Sequence, residues 1–343
     1  MKILIVAPNW IGDCLMAQPL FAILKAQTGA HLTLLAPQWV APIARLMPEI
    51  DEVIANRFSH GQLQWGARSQ LALEVAHLQF DVAYVLPNSL KSALIPWLAK
   101  IPQRFGYFGE FRWGLLTQRL ANPPKKDRPL MHAHYAALAA LQNLTVPAEL
   151  PAPRLQVNTT LQQAAEALLR AQGLNPAQPY IALAPGAEYG RAKRWPTKHF
   201  AALATQALTD NPALQMVVLG SAKDGGLANK ILAQASPEVQ SRLRNLCGQT
   251  TLDVAAALIA RAQQMVSNDS GLMHVTAALQ TPQVAIYGSS DPRHTPPLSP
   301  KAHVVWLHLS CSPCFKRECP LGTLACLKDI APATVLKALH ETA

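Results

Sequence analysis

Short, unbroken apolar runs that stop at small or polar residues constrain this chain most. Ile3 to Ala7 is the first, and Pro8-Asn9-Trp10-Ile11-Gly12-Asp13 follows it. A strand apolar at every position is buried on both faces, which calls for a parallel sheet with helices on either side. After that loop, Met16, Leu20, Ile23 and Leu24 fall on one face of a helix that Thr28-Gly29 ends. His31 to Ala36 reads as the next strand. Asp81 to Leu86 is another, with Pro87-Asn88-Ser89 at its carboxyl end. Such alternation predicts a doubly wound α/β domain.

The alternation restarts beyond a proline-rich linker, Leu150 to Arg154. The strand Tyr180 to Ala184 ends in Pro185-Gly186-Ala187, and Thr197 is placed to cap a helix running through Phe200 and Leu203 to Leu208. Met216 to Leu219 is a strand followed by Gly220-Ser221. A helix over Thr251 to Ala262 precedes the strand Gln264 to Ser267. Asn268-Asp269-Ser270-Gly271 leads into one more helix, and Val284 to Tyr287 is the last clear strand. The expected architecture is α/β: two Rossmann-like doubly wound domains, residues 1–153 and 154–343, facing a central cleft. A Cys-rich segment and a terminal helix end the second. At 343 residues the chain is long enough for two cores. Open parallel sheets bind ligands outside the carboxyl ends of their strands, and every polar cluster named above sits at such an end.

Half the residues are hydrophobic and 15% are charged, which is a globular and not a disordered composition. The net charge of +10 points to an anionic partner or to a merely basic surface. Its cations are scattered, and no zinc-finger, helix-turn-helix or aromatic RNA-binding signature accompanies them, so nucleic acid is not the expected partner. No signal peptide and no apolar stretch of spanning length is visible. Six cysteines without an export signal point to a reducing, cytoplasmic setting. The chain has no G-x-G-x-x-G after its first strand, no P-loop and no G-x-S-x-G elbow, which argues against a dehydrogenase, a P-loop NTPase and an α/β-hydrolase.

Three segments can carry chemistry. In Asn268 to His274 the free N–H groups at a helix start favour a phosphate, Gly271 admits close approach, and His274 lies on the first turn. The plainer reading is a capping turn built by Asp269 or Ser270. In Pro185 to Pro196, Arg191, Lys193 and Arg194 fall within four residues, and Lys193 can neutralise a diphosphate. The plainer reading is a solvated basic loop. In Gly12-Asp13 a carboxylate faces the expected cleft and can take a proton from a hydroxyl. Spacing alone favours the plainer reading, Asp13 as a helix cap.

Taken together, these segments resemble the ADP-heptose:lipopolysaccharide heptosyltransferases, the type II members most closely. The matching stretches are Met1 to Ile5 with Trp10 to Asp13, Tyr84 to Ala93, Pro185 to Glu188 with Ala192 to Pro196, Gly220 to Asp224, and Asn268 to His274. The resemblance implies a GT-B architecture, with the acceptor on residues 1–153 and the ADP-sugar donor on 154–343. It implies inverting transfer of L-glycero-D-manno-heptose from ADP-heptose to the first heptose of the inner core, at the cytoplasmic face of the inner membrane, by a monomer needing no catalytic cofactor. By position it makes Asp13 the base. Ala187, Lys193, Ser221, Asp269, Gly271, Leu272 and His274 become donor contacts, and Asn88, Ser89 and Lys91 acceptor contacts. Arg57, Lys91, Arg104, Arg112 and Arg119 then have a use, steering an acidic, phosphorylated acceptor.

One cluster lies outside that account. Cys311, Cys314, Cys319 and Cys326 form C-x2-C-x4-C-x6-C, whose first pair has a common zinc-ligand spacing. A structural zinc, two local disulfides and packed reduced thiols are the competing readings. Cys14 and Cys247 read as small buried residues.

Overall fold

The computed structural model describes residues 1–58, 62–124 and 129–342. The chain divides into two compact units, Met1–Pro153 and Arg154–Ala343. The first holds a six-stranded sheet of β1 (Lys2–Val6), β2 (His31–Pro37), β3 (Glu52–Asn56), β4 (Val82–Val85), β5 (Gln103–Tyr107) and β6 (Gln118–Leu120). The second holds β7 (Tyr180–Ala184), β8 (Gln215–Val218), β9 (Leu243–Asn245), β10 (Gln264–Asn268), β11 (Gln283–Ile286) and β12 (Ala302–Val305).

Among the described residues all ten strand pairings are parallel. The spatial orders are β3-β2-β1-β4-β5-β6 and β12-β11-β10-β7-β8-β9. Each sheet thus starts in its middle, winds outward one way, then returns to wind the other. Both are doubly wound sheets of one topology, with switch points between β1 and β4 and between β7 and β10.

Burial explains the strand composition. Every residue of β7, β8, β10 and β11 is buried, because helices cover both faces and leave no solvated side. Each such aliphatic side chain contributes about 1.5–3 kcal/mol when fully buried. In the second core Trp195 lies 4.8 Å from the Phe200 ring, edge to face, and its indole N–H donates to the Ile330 carbonyl at 3.0 Å.

Two local expectations are corrected. The first helix is two, Ile11–Met16 and Gln18–Thr28. They meet at Ala17, just ahead of Pro19, whose missing N–H is tolerated only in a first turn. Thr197 is the first residue of the helix Thr197–Asp210 and not its cap; Pro196 takes that position.

Candidate active site

The second unit builds its site at the switch point between β7 and β10. β10 ends at Asn268, which is fully buried. Its side-chain carbonyl accepts the Trp195 backbone N–H at 3.0 Å, and its amide donates to the Pro185 carbonyl at 2.8 Å. One side chain therefore ties both ends of the loop after β7 to the carboxyl end of β10. Replacing Asn268 by Ala leaves a buried N–H and a buried C=O unpaired. A loss of about 2–4 kcal/mol is expected, read as a fall in the melting temperature.

Asp269 is 5% exposed. Its Oδ2 accepts from Lys193 Nζ at 2.5 Å and also from the Ser290 hydroxyl. Asp269 is thus the partner of Lys193 and not a helix cap. Ser270 takes the cap position of the helix Gly271–Ala278 in an extended conformation, but its side chain makes no capping bond. The positive end of that helix is left without a side-chain cap beside a lysine, an arrangement that suits a diphosphate.

The loop from Pro185 to Pro196 is not a solvated basic run. Arg194 donates to the Ala187 carbonyl at 3.2 and 3.0 Å, and Trp195 is buried in the core. Lys193 Nζ lies 5.2 Å from the Tyr189 ring centroid. Ala187 is itself buried at 3% exposure. At Gly186 a Cβ would stand 2.6 Å from the Asp224 carboxylate, so any side chain there would have to displace that carboxylate. The same carboxylate accepts from the Ser221 N–H at 3.0 Å and its hydroxyl at 2.8 Å. Ser221 thus sits at the carboxyl end of β8 with its hydroxyl held by Asp224.

His274 is 7% exposed, on the first turn of its helix. Burial is the main cause that pulls its pKa from 6.5 to about 4; Asp269 opposes this and Lys193 adds to it. The imidazole is neutral at neutral pH and offers an N–H, not a charge. The unfolded chain therefore takes up a proton as pH falls below about 6.5, while the folded one does not until about 4. Stability should be full above 6.5 and decline between 6.5 and 4, by of order 3 kcal/mol. Urea unfolding across that window checks this, and His274→Gln should flatten the slope.

In the first unit Asp13 is the third residue of the helix Ile11–Met16, in its first turn, half-buried. The cap position belongs to Trp10, so spacing alone misassigned Asp13. A carboxylate there is favoured by the helix dipole. Its charge reaches Tyr135, which is 7% exposed and whose pKa stands well above the usual value, chiefly through burial and then Asp13. Tyr135 was not visible as a neighbour in sequence.

Asn88 and Ser89 follow β4, across the switch point from Asp13. Asn88 is exposed, and its Oδ1 accepts from Arg112 at 3.2 Å. Ser89 occupies the cap position of the helix Leu90–Leu98 without a side-chain capping bond, and half-buried Lys91 is on its first turn. Arg112 is 1% exposed and also donates to the Pro87 carbonyl at 2.7 Å and to the Tyr107 carbonyl. Burial pulls its pKa to about 10, so it remains cationic at pH 7. Arg104 donates to the Leu115 and Ile101 carbonyls at 2.6 and 2.5 Å. Arg112 and Arg104 therefore brace loops, and of the five steering candidates only Arg57 is exposed.

The four cysteines from Cys311 to Cys326 line one small cavity of about 20 Å³, together with Ala192 and Ser289. All are free thiols. Their soft donors suit zinc, yet among the described residues no three Cys, His, Asp or Glu side chains are placed to hold an ion. Their segment also buttresses the loop after β7. The Arg317 carbonyl accepts the Ala192 N–H at 3.0 Å, and the Phe315 carbonyl accepts the Tyr189 hydroxyl at 2.8 Å. Burial pushes the Cys14 and Cys247 thiols up to about 12, which makes both inert. Among the described residues no helix is long and apolar enough to cross a membrane.

Known proteins share both the sequence and the fold. The family model of glycosyltransferase family 9 (heptosyltransferase) matches residues 68–325. Lipopolysaccharide heptosyltransferase 2 of Salmonella typhimurium is 44% identical over 345 residues, covering 99% of this chain and 98% of the relative. That of Escherichia coli K12 is 43% identical over 344 residues, with the same coverage. The solved structure of the E. coli ADP-heptose lipopolysaccharide heptosyltransferase II superposes with a TM-score of 0.87 at 41% identity, over all of this chain and 98% of that one. Family match, full-length relatives and superposition agree: the chain belongs to glycosyltransferase family 9, the heptosyltransferases.

Proposed function

We propose that this chain is the heptosyltransferase that moves L-glycero-D-manno-heptose from ADP-heptose to the first heptose of the lipopolysaccharide inner core, inverting the anomeric centre. The observation that carries the donor half is the uncapped helix start at Gly271 beside the Lys193–Asp269 pair. The identities above 40% over nearly the full length support the choice of sugar and acceptor.

In this reading the second unit holds ADP-heptose. Lys193 and the amides of Gly271 and Leu272 meet the diphosphate, the neutral His274 donates an N–H to it, and Ala187 and Ser221 border the nucleotide. The first unit holds the acceptor, with Asn88, Ser89 and Lys91 as contacts. Asp13 takes the proton of the attacking hydroxyl. The new C–O bond forms as the bond to the ADP phosphate breaks, and the leaving diphosphate keeps the electron pair. A single displacement needs one base and no covalent nucleophile. One chain carries the base and the donor site, so a monomer suffices. The four cysteines lie outside the reaction, and no step runs through a metal.

Competition by nucleotides tests the donor half. ADP should inhibit competitively against the donor well below the concentrations needed for UDP or GDP. Equal inhibition by all three would point to a transferase of another nucleotide sugar.

A further inference from the structure

The proposed reaction leaves the four cysteines of the second unit unused. Cys311, Cys314, Cys319 and Cys326 line the same cavity of about 20 Å³, all as free thiols. They are not equivalent. Cys326 is buried, and burial is the main cause that pushes its thiol up to about 11, with the three neighbouring sulfurs adding to it. It stays protonated at neutral pH and is a poor nucleophile. Cys319 is half-buried, and Pro320 and Leu321 after it are exposed. Its sulfur accepts the Leu324 N–H at 3.4 Å. That bond first, then the N–H groups of Leu321 and Thr323 and the Thr323 hydroxyl, hold Cys319 below the usual thiol range against a small opposing effect of burial. Several N–H groups turned to one sulfur favour the thiolate, which is the reactive form.

The segment that carries Cys319 is tied to the loop that carries Lys193. The Tyr189 hydroxyl donates to the Phe315 carbonyl at 2.8 Å. Its ring meets two cations, Lys193 at 5.2 Å and Arg317 at 5.4 Å from the centroid. The Ala192 N–H donates to the Arg317 carbonyl at 3.0 Å, and the Ala192 carbonyl accepts the Ser289 N–H at 3.2 Å. The Ser289 carbonyl in turn accepts the Phe315 N–H at 2.7 Å, which closes the circuit. A Cβ at Gly190 would overlap the Arg317 carbonyl, so the two backbones touch there with no room for a side chain. A displacement of residues 315–317 is therefore felt by the backbone just ahead of Lys193.

We propose that Cys319 is a modification site for low-molecular-weight disulfides such as oxidised glutathione, and that its oxidation shifts the loop that carries Lys193. The Cys319 thiolate attacks one sulfur of glutathione disulfide. The new S–S bond forms as the old one breaks, and one glutathione leaves as a thiolate with the electron pair. Cys311 or Cys314 then gives up its proton, attacks the Cys319 sulfur and expels the second glutathione. Two protein thiols are oxidised, and one glutathione disulfide is reduced to two thiols. Either protein disulfide closes a loop around residues 315–317, the residues that hold Tyr189 and Ala192. The effect on the donor rests on the reading that Lys193 meets its diphosphate.

The test is to treat the reduced full chain, freed of reductant, with oxidised glutathione, reading thiol state by peptide mass and donor KM by ADP release. Wild type should gain an internal disulfide at Cys319 and a donor KM raised by about fivefold or more, and dithiothreitol should reverse both. Cys319→Ser should keep the KM of untreated wild type and be indifferent to the disulfide. Cys311→Ser/Cys314→Ser should stop at a glutathione adduct on Cys319. Modification of Cys319→Ser as extensive as that of wild type overturns the proposal, as does an unchanged donor KM in the oxidised protein. So does zinc retained at one ion per chain and released only when the thiols are modified, which would make the four cysteines a metal site. No transfer by the reduced protein would sink the functional reading instead, while peptide mass would still report on Cys319.

Discussion

Asp13→Asn is expected to lower kcat by about 10²–10⁴-fold, the usual contribution of a positioned general base, while the affinity for ADP stays within about twofold of wild type. The two readouts separate because Asp13 lies in the first unit, in the helix after β1, whereas every proposed donor contact lies in the second. The substitution keeps shape and removes the charge. Asp13 is not at the cap position, so the helix does not lose its cap. A variant that loses stability and activity in proportion would make Asp13 a structural carboxylate. A variant with normal kcat would remove it from the chemistry.

Lys193→Ala is expected to raise the donor KM by about 10–100-fold, the equivalent of one charge-assisted hydrogen bond to a phosphate. The ammonium is held by Asp269 at 2.5 Å, with its side chain 18% exposed. It is thus kept in place beside the start of the helix Gly271–Ala278. Removal also leaves Asp269, at 5% exposure, with the Ser290 hydroxyl as its hydrogen-bond donor. The free variant should therefore melt lower, and saturating ADP should raise its melting temperature by less than in wild type, because ligand stabilisation scales with occupancy. An unchanged donor KM would contradict the assignment. A lower melting temperature alone would leave Lys193 as a brace for Asp269 and nothing more.

The sequence made the central strands legible and the peripheral ones faint. Tyr180 to Ala184 was readable because every position is apolar, a pattern imposed by burial on two faces. β3 was missed because it is an edge strand whose residues are half-buried or exposed and whose ends are Glu52 and Asn56. β9 has three residues, too short for any periodicity. β5 hides behind Gly106, which reads as a breaker; there a Cβ would stand 2.8 Å from the Val85 carbonyl.

The site was legible as segments and not as partners. Strand ends flagged Lys193, Asp269 and His274, but only the fold shows that Lys193 pairs with Asp269 across 76 residues. Asn268 and Asp224 stood inside recognised stretches without a role. Asn268 ties the loop after β7 to the end of β10, and a hydrogen bond across 83 residues leaves no trace in local spacing; Asp224 holds Ser221 three residues away, and its packing on Gly186 is visible only in the fold. Arg112 and Arg104 looked like surface charge because composition cannot tell a steering cation from one buried against carbonyls. The neutrality of His274 follows from burial, which single-sequence patterns do not report for a residue on the first turn of a helix.

The most direct test of the account is to incubate the protein with ADP-heptose and a truncated lipopolysaccharide carrying one heptose, following ADP release and acceptor mass together. The account predicts stoichiometric ADP and an acceptor heavier by one heptosyl unit. Turnover only on the heptose-free acceptor, or only with a different nucleotide sugar, would contradict it.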